Sequence, residues 1–206
     1  MNIRLKLTLL PIIAILLPLL GGIYYVRSVV QAYYEQQIGV LYLTIAKDME
    51  DALARNVIGQ MHYLEGWVSL FGIARQLEAM DASPVDLKAI DELESRWPSL
   101  QQTDEPLRSI LHNPMADELV RCQKINPLFV ELMLTDRIGR LVAATNPTTD
   151  YWQSDERWWI EAANPIGPET AWAHSIMYDA SAGVQTMDIT LPIRNEAGDL
   201  LGVMKG

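Results

Sequence analysis

The side chains best suited to chemistry crowd into TTDYWQSDERWWIEAAN, residues 147–163, where Tyr151, Trp152, Trp158 and Trp159 fall within nine positions of an otherwise acidic polar stretch. Aromatic side chains so placed either pin a connection to a core or line a binding surface, because each joins a broad apolar face to a polar handle. Catalysis has less support. No Ser-His-Asp or Cys-His arrangement stands in a local motif, no glycine-rich phosphate loop precedes a helix, and the pair Asp155-Glu156 has the character of solvated surface. His62, His112 and His174 lie far apart and Cys122 is the single cysteine, so neither a metal site nor an internal disulfide is expected. No catalytic residue, cofactor or enzymatic activity is assigned.

The 206 residues are half hydrophobic and carry a net charge of −10, enough for one sizeable core and a poor basis for nucleic-acid binding, which needs clustered Lys and Arg. LTLLPIIAILLPLLGGIYYV, residues 7–26, contains no charge. At about 1.5 Å per helical residue it is roughly 30 Å long, the hydrocarbon thickness of a bilayer. Arg4 and Lys6 precede it, so the positive-inside bias keeps residues 1–6 in the cytoplasm and exports residues 27–206. Tyr24 and Tyr25 suit the far interface. A cleaved signal peptide would have a shorter apolar region and a small-x-small site, for which VRSVVQA is a poor candidate. The expected location is the inner (cytoplasmic) membrane, single-pass. Of the 16 basic residues, 14 face 26 acidic ones in the exported part.

Those aromatic residues must be positioned by the elements around them. No proline occurs between Pro18 and Pro84, and apolar residues recur in helical steps at Val30, Tyr34, Ile38, Leu41, Ile45, Met49, Leu53, Val57, Met61, Leu64, Val68 and Phe71. This predicts a long amphipathic helix, eroded near Gly66 and Gly72, whose stripe packs on its own domain or forms a homodimer seam. Ser83 as N-cap, with Pro84 and Asp86 in the first turn, opens a helix to Arg96, closed by Trp97-Pro98. DEPLRSILHN and ADELVRCQKI are two further helices, completing a helical segment over 27–127.

After Pro127 the period becomes two. LFVELMLTD puts Leu128, Val130, Leu132 and Leu134 on one face, DRIGR turns, and LVAATN returns as a second strand. Residues 154–163 read as a helix, TAWAHSIMY as a third strand, VQTMDITLPI as a fourth and LLGVMKG as a fifth. Pro192 lacks a ladder donor and belongs at an edge or unpaired position. On the third strand His174 shares a face with Trp172, Ile176 and Tyr178, which suits a packed or pocket-lining residue. The fold class is α+β: a transmembrane helix, a long helix, then a mostly antiparallel five-stranded sheet over 128–206 with helices on one side. The last strand runs to Gly206, so truncation is expected, and the chain has no room for a cytoplasmic output module.

In this order the segments resemble the Cache sensor domains, the extracytoplasmic PAS-like input modules of bacterial transmembrane receptors. ELMLTDRIGRLVAATN is similar to the family's first hairpin, DYWQSDERWWIEAA to its pocket segment, and YDASAG with DITLPIRNEAGDLLGVMKG to its closing strands. The resemblance implies a ligand between sheet and helical connection, near Tyr151, Glu156, Trp158, Trp159, His174, Tyr178 and Asp179. Amino-acid-binding members carry an arginine where Glu156 stands here; a guanidinium would hold a ligand carboxylate, and Glu156 would repel one. Arg157, one residue over, should project elsewhere on a helix. A cationic amine or another small polar molecule therefore suits the site, since ring quadrupoles and carboxylates both attract positive charge. Of the adjacent tryptophans, one should point inward and one toward a cleft or a partner. The function implied is extracytoplasmic ligand sensing for signal transduction; a membrane-anchored interaction domain without a small ligand is the alternative.

Overall fold

The computed structural model describes residues 3–80, 85–164, 171–174, 176–179 and 184–206. Two compact units divide it, residues 1–56 and 57–206. The first consists of helix: α1 runs from Ile3 to Leu70 without a break, with Pro11 and Pro18 inside it. Helix-embedded prolines are tolerated in membrane-spanning segments. Gly66 does not interrupt the helix. The break falls at Gly72, whose φ of 60° is the left-handed conformation that ends helices without a Cβ penalty.

The apolar stripe of α1 behaves differently along its length. Val30, Tyr34, Ile38, Leu41, Ile45, Met49 and Leu53 are all exposed. In the second unit Leu64 is fully buried, and Val57, Met61, Val68 and Phe71 pack around the same core.

That second unit holds α2 (Ile73–Met80), α3 (Leu87–Arg96), a short 3-10 turn at Trp97–Ser99, α4 (Glu105–Leu111), α5 (Pro114–Ile125) and α6 (Arg157–Ala163). The start of α3 differs from the sequence expectation. Asp86 is itself the N-cap, accepting from the backbone N–H of Lys88 and Ala89. Ser83 and Pro84 lie outside the described residues. Asn113 caps α5 in the same way and also donates to Val142 O across 2.8 Å, fastening the helix to the sheet.

The strands are β1 (Met133–Asp136), β2 (Leu141–Ala144), β3 (Trp172–Ala173), β4 (Met177–Asp179), β5 (Val184–Thr186), β6 (Ile189–Arg194) and β7 (Leu200–Lys205). Five of them form an antiparallel sheet in the order β2-β1-β7-β6-β3, while β4 and β5 pair in a separate two-stranded sheet. The class is α+β with a five-stranded antiparallel sheet. The third and fourth strands expected from the sequence are each cut in two, since β3 and β4 join different sheets and so do β5 and β6. Leu128 and Val130 precede β1 and are exposed, whereas Leu132 and Leu134 are fully buried.

Every residue of β1 and β2 is buried, because both faces of the sheet are covered. Leu134, Leu191 and Met204 join a core with α1, α2 and α5. Met133, Leu141 and Val203 join a second, with Trp97, α4 and α6. Each fully buried leucine contributes about 1.5–3 kcal/mol. Helices thus lie on the face expected from the sequence and on the opposite one as well.

Pro192 sits where its missing donor costs least. Ile189 and Gly206 exchange both backbone hydrogen bonds, 2.7 and 2.9 Å, so bonded pairs toward β7 fall at alternate residues and skip Pro192. On the other side β3 pairs only as far as Thr190.

Candidate functional site

The loop that carries the aromatic cluster is fixed at several points. Glu94 of α3 accepts from the backbone N–H of Tyr151 and Trp152 at 2.9 and 2.8 Å. The Trp97 indole donates to Thr148 O at 3.0 Å, and the backbone N–H of Gln153 to Gly139 O at 2.8 Å. Gln153, almost wholly buried, donates to the Asp150 carboxylate at 2.5 Å. Gly139 has a φ of 93° in the β1–β2 turn and a Cβ there would collide with Ser154, so the loop crosses the hairpin at its tightest point. These contacts hold Asp150 and Glu156 at the edge of the sheet.

There a cavity of about 250 Å³ opens between the loop, the N-terminal end of α6, the β4–β5 pair and the end of β7. Its aromatic lining is Trp158 and Tyr178, and its charged described lining is Glu131, Asp150, Glu156, Asp188 and Lys205. Lys205 Nζ lies 2.9 Å from Asp188 Oδ2 and 5.3 Å from the centre of the Trp158 ring. Burial, followed by the nearby charges of Asp150 and Asp155, holds the Glu156 carboxyl above its ordinary range, with Lys205 pulling it down. Four carboxylates around one paired ammonium make a site whose field favours positive charge.

Three of the residues singled out in the sequence meet at this cavity: Glu156, Trp158 and Tyr178. Trp159 goes inward instead, donating its indole N–H to Thr135 Oγ1 at 2.9 Å. Tyr151 packs against Trp97, ring centres 5.3 Å apart and planes tilted by 39°, and borders a different cavity, of about 570 Å³, beside Arg140 and Asp136. Burial pushes its phenol pKa up, Arg140 lowers it and Asp136 raises it. His174 bridges α6 and β6, with Nδ1 at 3.3 Å from Glu161 and Nε2 at 3.1 Å from Thr190. Asp179 ends β4, and its side chain lies outside the described residues. Arg157 turns to the surface and pairs with Glu161.

Sequence reasoning missed Lys205, Asp188, Asp150 and Glu131. The signal for Lys205 is its place near the end of β7, where the strand register sets it opposite Thr190 of β6 and Met133 of β1. A register cannot be read from one sequence, and this pairing depends on it.

No protein-family model matches the chain, and no curated protein matches it. Among solved structures it is similar to the ligand-binding domain of the Pseudomonas fluorescens chemoreceptor CtaA in complex with L-serine, at 16% identity, covering 78% of this chain and 59% of that one with a TM-score of 0.36. It is similar to the ligand-binding domain of the Pseudomonas aeruginosa amino acid chemoreceptor PctC in complex with GABA, at 22% identity, 71% and 56% coverage and a TM-score of 0.32. A third is the sensor domain of the Vibrio cholerae histidine kinase DctB, at 12% identity, 71% and 55% coverage and a TM-score of 0.30. The chain spans little more than half the length of these structures.

Proposed function

We propose that residues 27–206 are the extracytoplasmic ligand-sensing input domain of a membrane-anchored signal-transduction protein, with a small polar molecule held in the cavity beside Trp158. The observation that carries this reading is the cavity's chemistry: an indole and a phenol, four carboxylates and one ammonium around about 250 Å³. That volume lies just under the usual ligand-pocket range of about 300–1,000 Å³ and suits a molecule of few heavy atoms. The reading assigns binding, and no chemical conversion, to the site.

The anchor is residues 7–26. Among the described residues one helix is long and apolar enough to cross a membrane. Arg4 and Lys6 on its N-terminal side support a cytoplasmic N-terminus, an exported sensing domain and the inner membrane as its location. The continuity of α1 from Ile3 to Leu70 supports it as the element through which occupancy reaches the far side of the bilayer. The exposed stripe from Val30 to Leu53 supports a homodimer along α1. The same stripe favours a second reading, an anchored interaction domain with no small ligand.

Thermal unfolding of the full chain in detergent, screened against small amines, amino acids and carboxylic acids, tests the first reading. A molecule that binds only the folded state at one hundred times its Kd stabilises it by about 2.7 kcal/mol. At least one small polar molecule is expected to raise the midpoint. No shift across the screen would favour the second reading, and a reporter fused after Gly206 that behaves as cytoplasmic would overturn the orientation.

A further inference from the structure

We infer that Trp158 and Asp188 form a seat for a primary alkylammonium group, and that Lys205 is a tethered occupant of that seat which such a ligand replaces. The inference rests on the cavity being the sensing site and names the chemistry it selects.

Lys205 displays what the seat accepts. Its ammonium lies 2.9 Å from Asp188 Oδ2, and the two side chains are about one-fifth exposed, 22% and 21%. The same nitrogen stands 5.3 Å from the centre of the Trp158 ring, inside the roughly 6 Å within which a cation is attracted to an aromatic face. Trp158 is buried at 7% exposure and held by α6, so its ring is a fixed surface. Lysine carries its charge on a flexible four-carbon stem, and can leave the seat by rotating that stem while β7 stays paired.

The remaining lining separates classes of ligand. With Glu131, Asp150 and Glu156 around the same space, a carboxylate entering it would meet three like charges besides Asp188, while the one described cationic group is already paired. A neutral molecule would displace Lys205 without replacing its two interactions. A primary alkylammonium reproduces both, the charge-assisted hydrogen bond to Asp188 and the contact with the Trp158 face, and releases Lys205 to water, where an ammonium is well solvated.

Lys205 is then a competitor within the chain, and removing its charge must strengthen amine binding. The test is calorimetric titration of the full chain in detergent with butylamine, which is the lysine stem and head without a backbone, and with butanoate. Lys205→Met keeps the bulk and drops the charge; it is expected to bind butylamine about tenfold more tightly than the unmodified chain. Adding Asp188→Asn to that variant should abolish the gain, and butanoate should bind neither form. Butylamine binding that is equal or weaker in Lys205→Met overturns the inference, as does a gain that survives Asp188→Asn. If the unmodified chain binds some other small molecule while either of those results is found, the amine seat falls and the sensing reading stands. If nothing in the screen or in these titrations binds, both fall. Lys205→Gln reads the same contrast should Lys205→Met fail to fold.

Discussion

Trp159 donates its indole N–H to the hydroxyl of Thr135 across 2.9 Å inside the core, and that hydroxyl in turn donates to Val203 O at 3.2 Å. One chain of hydrogen bonds thus ties α6 to the central strand, β7, and its neighbour β1. The adjacent Trp158, also buried, borders the cavity. Under the proposed function, Trp159 serves packing and Trp158 recognition.

Trp159→Ala should therefore act on stability. Truncating a buried tryptophan costs about 3–5 kcal/mol. Denaturant unfolding is expected to show a loss of that size, with the ligand affinity of the remaining folded protein unchanged. A weakened affinity at unaltered stability would move Trp159 into the site.

Much of the fold is legible in the sequence, for identifiable reasons. Apolar steps of three and four persist through α1, and alternation around DRIGR marks the β1–β2 hairpin, because local periods report which faces are buried. The separation of β3 from β4 and of β5 from β6 is not legible, since no local change of period marks where the chain leaves one sheet for another. Glu156 and Trp158 belong to a conspicuous segment and can be found from it, whereas Tyr178 lies outside that segment and is singled out only through the resemblance. Asp188 and Lys205 meet through the β6–β7 register, a nonlocal fact, and so leave no local trace.

Glu156→Gln has a signed pH dependence. Burial and the charges of Asp150 and Asp155 raise the folded-state pKa of Glu156 above its ordinary 4.5. A carboxyl raised on folding contributes stability while protonated, and that contribution is lost as pH rises through the folded pKa. At pH 7 the carboxylate opposes folding, so the glutamine variant should unfold at a higher temperature than the unmodified chain. The difference should vanish below pH 4.5. A lower midpoint for the variant at pH 7 would contradict this.

Gly202 is constrained by its neighbour strand. A Cβ there would run into the backbone oxygen of Thr135 and crowd Leu77, with β7 paired to β1 at that point. Backbone cannot give way as a side chain can, so Gly202→Ala should cost at least the 1–3 kcal/mol typical of overpacking. Far-ultraviolet circular dichroism through a denaturant titration would read this; wild-type stability would refute it.

Under the proposed homodimer, the exposed stripe of α1 predicts which positions would face a second copy. Ile38→Cys lies on the stripe and should form a disulfide-linked dimer on mild oxidation in membranes, while Gln36→Cys, about 200° away around the helix, should remain mostly monomeric. The native Cys122 is fully buried with its thiol pushed up to about 11, so it should not contribute a crosslink. Equal crosslinking at both positions would argue against a specific seam.

Hydrogen exchange of the full chain, with and without the first small molecule that raises its unfolding temperature, locates the binding site most directly. Protection is expected in 147–158, 177–179, 184–188 and at Lys205, where the described residues border the cavity beside Trp158. Protection confined to 106–115 and 136–142, which border the second cavity beside Tyr151 and Arg140, would contradict the assignment of the sensing site.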